Sequence, residues 1–408
     1  MAAGRLGAVE IAHNFADLHP PLTKFEALIA ADRCYFCYAA PCTAACPTGI
    51  DIPRFIQSIR SGDLEGAAHT ILSENVMGGM CARVCPTEVL CEQACVRNVR
   101  GDSPVKIGLL QRHATDPVHA AGTQLFGRAP ASGKRIAVVG AGPAGLSCAH
   151  RLACLGHEVT VFSRDGRLGG LNEYGIAAYK AVDDFAQRAV AWILAIGGIE
   201  GRAGLALGRD LTLAQLRRDF DAVFLAVGLA ATHRLDVPGA DLPGVVDAVE
   251  YIAELRQAAD KTRLQVGRRV VVIGGGMTAI DIAVQSRRLG AAEVTIVYRR
   301  GREQMGASAF EQQLAQANGV LIRHWARPSR ILGDAFVTGV EFERTRAGEG
   351  GKVEGTGERF LLEADVVFKA IGQELAVDAL GDLGASLRVE RGRIVTDESR
   401  RTSLDGVW

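Results

Sequence analysis

At 408 residues the chain is too long for one ordinary core, so two or three domains are expected. A hydrophobic share of 48% with 23% charged residues excludes a disordered polypeptide. Lys+Arg and Asp+Glu balance at 46 each, which gives no electrostatic case for nucleic acid or a membrane surface as partner.

The opening residues lack an apolar signal core. Apolar runs such as 136–149 and 189–199 are shorter than the about 18 residues needed to cross a bilayer. A cytoplasmic, reducing location is therefore expected, where clustered cysteines are metal ligands more often than disulfides. Residues 1–130 read as helical. A helix over 53–60 places Phe55, Ile56 and Ile59 on one face, and Asp63 caps a second over 64–72. Eight of the ten cysteines fall here in two runs, Cys34-x2-Cys37-x4-Cys42-x3-Cys46-Pro47 and Cys81-x3-Cys85-Pro86-x5-Cys91-x3-Cys95. Thiolates two to five residues apart can converge on one iron–sulfur cube, and a Pro after the last cysteine recurs in ferredoxin-type runs. Zinc remains open, because CxxC spacing serves it too. Iron–sulfur is preferred, because it gives the nucleotide sites downstream something to exchange electrons with. Residues 116–132, with Pro117 and Pro130, read as a linker.

From Lys134 the pattern becomes strand, glycine turn, helix, strand. A strand over 135–139 leads into Gly140-Ala141-Gly142-Pro143-Ala144-Gly145, a helix follows to about 155, and a second strand spans 158–162. The order returns with a strand over 269–273, then Gly274-Gly275-Gly276-Met277-Thr278-Ala279, a helix to about 289 and a strand over 293–298. Each copy has a later matching segment, 221–228 and 365–372. In such loops small residues permit the tight turn and let the backbone approach a pyrophosphate, which the helix N-terminus then binds. An internal repeat of this motif set implies two nucleotides, one per α/β domain. The ribose-reading position of the first copy is Ser163, where an acid is usual; Asp165 is the nearby substitute or a mere turn residue. In the second copy it is Tyr298-Arg299-Arg300, which suits a 2′-phosphate, a pyrophosphate or a solvated face. Cys148 and Cys154 read as small buried helix residues.

Together these residues resemble the flavoprotein-subunit family (PreT-type) of bacterial NAD-dependent dihydropyrimidine dehydrogenase. The resemblance covers nearly the whole chain and is most specific at 34–52, 81–95, 104–111 and both glycine loops. The glutamate synthase small subunit shares the architecture and is the alternative. The family implies two 4Fe–4S clusters, one held by Cys34, Cys37, Cys42 and Cys95, the other by Cys46, Cys85, Cys91 and Gln111. Cys81 is then a free thiol, or it replaces Gln111. FAD contacts map to Ala141, Gly142, Pro143, Ala144, Gly145, Ser163, Gly170, Leu171 and Lys180. Nicotinamide-nucleotide contacts map to Gly275, Gly276, Met277, Thr278, Arg299, Arg300, Ala370, Ile371 and Gly372. A second phosphate-gripping arginine of NADPH-using relatives is Gly306 here, which points to NAD(H) and leaves NADP(H) possible. The resemblance implies no catalytic side chain, and as partner a subunit carrying FMN and further clusters that interconverts uracil or thymine with the 5,6-dihydro form. A third possibility is a non-enzymatic, zinc-stapled nucleotide sensor.

The expected architecture is α/β: an N-terminal helical ferredoxin-type two-cluster domain (1–130), followed by two nested Rossmann-like domains. The FAD domain takes 131–248 and 365–408, and the NAD(P) domain 249–364. The family continues past Gly406-Val407-Trp408 into a flavin-holding Ala-Gly-Gly-Asp segment, so a truncated FAD domain with weakened affinity is expected.

Overall fold

The computed structural model describes residues 1–381 and 386–408. It divides into two units, one of 17–173, 180–230 and 375–408, the other of 1–16, 174–179 and 231–374.

The first unit opens with helices. Asp51 accepts the Arg54 N–H at 3.2 Å and starts helix Ile52–Arg60, with Pro53 in the first turn, where its missing N–H costs nothing. The helix buries Ile52, Phe55, Ile56 and Ile59. Asp63 likewise caps Leu64–Glu74 through Gly66 N at 2.8 Å. These pack with helix Ile107–Ala121 around Phe55, Ile71, Leu110 and Ala114, and Cys34, Cys42, Cys46, Cys91 and Cys95 line the same core. The expected linker over 116–132 needs correction, because this last helix runs through Pro117 to Ala121 and ends at left-handed Gly122. Packing holds its final turns: Thr115, Val118 and His119 are buried, and Asp116 pairs with the inward-facing Arg83 and Arg112.

Four parallel strands follow in the order Ile199–Arg202, Glu158–Phe162, Arg135–Val139, Ala222–Leu225. Residues 406–408 extend this sheet, with Val223 bridging Val407 in parallel and Trp408 N–H donating to Val223 O.

The second unit repeats the plan. Its parallel sheet runs Val320–Arg323, Glu293–Val297, Arg269–Gly274, Val366–Ala370, Val245–Asp247, and an antiparallel sheet of Ala326–Gly333, Val337–Ala347 and Val353–Glu363 accompanies it. The expected boundaries at 248/249 and 364/365 are corrected by this pairing. Strand Val366–Ala370 lies between Arg269–Gly274 and Val245–Asp247, so it is a central strand of the second sheet. Residues 1–16 also leave the helical domain for this unit, through reciprocal Ala2–Val266 backbone bonds and Asn14 Nδ2 on Arg288 O. Tyr174–Tyr179 joins it as well: Ala178 N–H donates to the buried Gln285 Oε1 at 2.9 Å. Cys148 and Cys154 are half-buried rather than buried, each on the helix Pro143–Cys154. Among the described residues no helix is long and apolar enough to cross a membrane.

Candidate functional site: a cysteine cage and two nucleotide loops

Cys34, Cys37, Cys42 and Cys95 line one cavity, beside Tyr35 and Val105. Phe36 adopts a left-handed backbone at φ 50 and donates its N–H to Cys34 Sγ at 3.4 Å. Strain of that kind persists where the surroundings impose it, and N–H···S bonds from outside a ligand set tune a sulfur-held centre. Burial pushes the Cys42 thiol up to about 11 and raises that of Cys34; Cys34 and Cys95 each add repulsion at Cys42.

The remaining four cysteines of the two runs also influence one another. Repulsion from Cys81, Cys91 and Cys46 helps raise the Cys85 thiol, and repulsion from Cys46 helps raise Cys91. Burial pushes Cys91 up to about 12. Helix Gly78–Val84 sets Cys81 one turn before Cys85. A sulfur–sulfur hydrogen bond lowers the Cys81 thiol and raises Cys85, and Asn75 Nδ2 also donates to Cys81 Sγ at 3.1 Å. Gln111 is buried, and its Nε2 donates to Gly78 O at 2.7 Å. That bond turns the amide oxygen, the atom able to ligate, to the opposite side. Thiols clustered in an apolar-lined cavity are a donor set that fits iron–sulfur chemistry. Among the described residues no three His, Cys, Asp or Glu side chains close on a single ion.

Both glycine loops open 12-residue helices, Pro143–Cys154 and Met277–Arg288, whose N-caps are Gly142 and Gly276. Neither has a side-chain cap or an acid in its first turn, whereas Thr23, Asp51, Asp63, Thr212 and Ser308 cap other helices. Orphan N–H groups and the positive helix end thus stay available to phosphate at these two helices. A Cβ on Gly276 would meet nothing within 4 Å, so the space above that loop is open. A Cβ on Gly140 would lie 2.1 Å from Ala226 O, and one on Gly274 2.2 Å from Ala370 O. Each loop therefore presses on the strand end of its later repeat segment. This brings Ala370 to the second loop, with Ile371 and Gly372 following it in the chain. It brings Ala226 and Val227 to the first, a pair the sequence reading missed although the internal repeat pointed to it.

The second-strand ends differ. Ser163 is buried, and its Oγ accepts from Asp165 N–H at 3.3 Å, while Asp165 faces Arg164. Lys180 is buried within the first unit, and Leu171 is exposed. In the second copy Arg299 is exposed and Arg300 half-buried; Thr345 Oγ1 holds Arg299 O and Trp325 N–H holds Arg300 O. The Tyr298 ring lies under Gly275, and Gly306 stands beside the loop: its Cβ would be 3.7 Å from Gly276 Cα.

Gly170 also approaches the first loop closely. Its φ is 53, and a Cβ there would lie 2.5 Å from Gly142 Cα. Backbone faces backbone, so no side chain can rotate away. Gly170→Ala is expected to lower FAD retention by about 5- to 150-fold, a cost of about 1–3 kcal/mol of left-handed strain and loop displacement. Flavin released on gel filtration measures it.

Residues 11–123 match the family described as dihydropyrimidine dehydrogenase domain II, 4Fe-4S cluster, and residues 134–408 match pyridine nucleotide-disulphide oxidoreductase. The PreT subunit of NAD-dependent dihydropyrimidine dehydrogenase from Salmonella typhimurium is 34% identical over 379 residues, covering 91% of this chain and 86% of its own. The NADPH glutamate synthase small chain of Halomonas elongata is 35% identical over 347 residues, covering 83% and 73%. Among solved structures, the thioredoxin reductase of T. acidophilum aligns with a TM-score of 0.51 at 22% identity, over 67% of this chain and 89% of that one. That likeness speaks for the fold alone.

Proposed function

The chain belongs to the pyridine nucleotide-disulphide oxidoreductase family, in the group that joins this fold to a 4Fe-4S domain and includes PreT subunits and glutamate synthase small chains; from that premise we propose that it is the electron-input subunit of an NAD-dependent dihydropyrimidine dehydrogenase. The coarser statement, an NAD(P)H-dependent iron–sulfur flavoprotein oxidoreductase, follows from the two domain matches together. The observation that supports this reading is one cavity lined by Cys34, Cys37, Cys42 and Cys95, in the same unit as the first glycine loop.

When bound, the flavin takes the electron pair of a nicotinamide hydride, and iron–sulfur centres pass electrons on singly. This chain's residues supply holding and orientation. Cys34, Cys37, Cys42 and Cys95 hold one cluster, and Cys46, Cys85 and Cys91 with the amide oxygen of Gln111 hold the other. The Gly142 and Gly276 helix ends take the pyrophosphates of FAD and of NAD(H), and Arg299 and Arg300 flank the second ribose. Hydride and electron transfer need no general acid or base from the protein. The partner is a subunit carrying FMN and iron–sulfur centres, where uracil or thymine and its dihydro form react.

The test is anaerobic isolation after reconstitution. Bound flavin, iron with acid-labile sulfide, and NADH-dependent dye reduction are expected. Colourless, zinc-loaded protein without dye reduction overturns the reading. The similarity to glutamate synthase small chains keeps a second acceptor in view. Tagged chain drawn from its source cells separates the two: an FMN-bearing pyrimidine-reducing subunit supports the proposal, and a large glutamine-dependent subunit replaces it.

A further inference from the structure

Four consecutive residues of the first unit touch both halves of its redox machinery. Asn75 Nδ2 donates to Cys81 Sγ at 3.1 Å, and its Oδ1 accepts the Met77 N–H at 3.0 Å. Val76 and Met77 are buried in one core with Ala141, Leu146 and Leu168, which belong to the first glycine loop, its helix and the approach to Gly170. Met77 Sδ takes the Asn172 Nδ2 donor at 3.7 Å, two residues after Gly170. The next residue, Gly78, gives its carbonyl to Gln111 Nε2 at 2.7 Å. A side chain cannot be added there freely, because a Cβ on Gly78 would lie 2.4 Å from Ile71 Cγ2 and 3.6 Å from Gln111 Nε2.

We propose that the turn 75–78 is a positioning element that fixes the flavin cradle against the second ligand set, with Met77 as its contact to the cradle and Gly78 as the anchor of Gln111. The inference rests on the reading above, that FAD sits at the first loop and a cluster at Cys46, Cys85, Cys91 and Gln111. The physical basis is contiguity. Asn172, Met77, Gly78 and Gln111 form one chain of packed and hydrogen-bonded groups with a single peptide unit between its two contacts. A displacement at the cradle is passed directly to the ligand amide. Such an element acts through distance, because each passage it governs is one electron lost by reduced flavin and one gained by a cluster, with NAD(P)H as the source of the pair.

The experiment uses the full chain reconstituted with flavin, iron and sulfide. Met77→Leu conserves volume, so the core keeps its filling while the thioether contact to Asn172 is lost. Flavin bleaching by NADH in stopped flow is expected to stay within about twofold of the original protein. Arrival of electrons at the clusters, followed by freeze-quench EPR, is expected to slow severalfold, since electron transfer weakens steeply as the two centres separate. Asn172→Ala should reproduce the slowing from the other side of the contact, and it serves if Met77→Leu fails to take up cofactors. Gly78→Ala is expected to change the EPR signature of one cluster and leave the other. Unaltered electron arrival in both contact variants, with full iron and flavin content, overturns this inference alone. Original protein that takes up no iron or sulfide overturns the parent reading and this one with it.

Discussion

Cys42→Ser is expected to cost the protein roughly half of its iron and sulfide, not all of it, because one ligand set is broken and the other is left whole. Cys42 lines the cavity shared with Cys34, Cys37 and Cys95, and none of the second set lines it. Serine is nearly isosteric, but its hydroxyl is a poor substitute for a thiolate toward iron. The loss should also be structural. Cys34, Cys42 and Cys95 pack on the core of the helical region together with Phe55 and Leu110, so a cluster there ties residues 34–42 to residue 95 across that core. Removing such a cross-link is expected to cost about 2–5 kcal/mol, comparable to losing a disulfide that closes a loop of this size, and to lower the melting temperature of the helical region by about 10 °C or more. Amide exchange over 17–121 localises the effect. Loading should also depend on pH. Burial lifts the Cys42 thiol to about 11, above the ordinary value near 8.5, so it is protonated at neutrality and must release its proton to ligate. Reconstitution is therefore expected to proceed more readily at pH 8.5 than at pH 6.5. Equal iron content in the serine variant and the original protein would remove Cys42 from the ligand set.

The sequence located the strands of both repeats well, and for a physical reason. A run such as Arg135–Val139 is buried on both faces and flanked by glycine, so its limits are set locally. The domain limits are set by pairing between distant segments, and there the reading failed. Segment 365–372 matches 221–228, and a repeat should place each beside its own glycine loop. Gly274 does meet Ala370 as Gly140 meets Ala226, so the repeat itself contained the correction. The helix through Pro117 was hidden for a different reason. Its last turns depend on Arg83 and Arg112 converging on Asp116, and propensity carries no trace of that. At the cysteines, spacing showed that two runs exist and left open how they interleave. The grouping of Cys95 with Cys34, Cys37 and Cys42 came only from the family resemblance, and in the folded chain these four line one cavity. The orientation of the Gln111 amide depends on Gly78 O, 33 residues away, and no local pattern encodes it.

Gly306→Arg is expected to shift nucleotide preference toward NADPH by one to two orders of magnitude in the ratio of kcat/KM values. The site can accept the change. A Cβ at 306 would meet Gly276 Cα at 3.7 Å and Gly275 O at 4.0 Å, ordinary contacts, and the backbone there is outside the left-handed region. From that position a guanidinium can reach over the second glycine loop toward Arg299 and Arg300, which follow the end of strand Glu293–Val297 and are proposed to flank the ribose. One charge-assisted hydrogen bond to a 2′-phosphate is worth about 1.5–3 kcal/mol, or roughly 10- to 150-fold. NADH has no phosphate at that carbon, so its kcat/KM should change by less than about threefold, and the gain would come from the new interaction alone. The converse substitution completes the argument. Arg299→Ala should weaken NADPH use by a similar factor and leave NADH nearly untouched, because Arg299 is exposed and its carbonyl remains fixed by Thr345. If both variants keep the original ratio, the 2′ position lies elsewhere, and the arginine pair belongs to the pyrophosphate or to solvent.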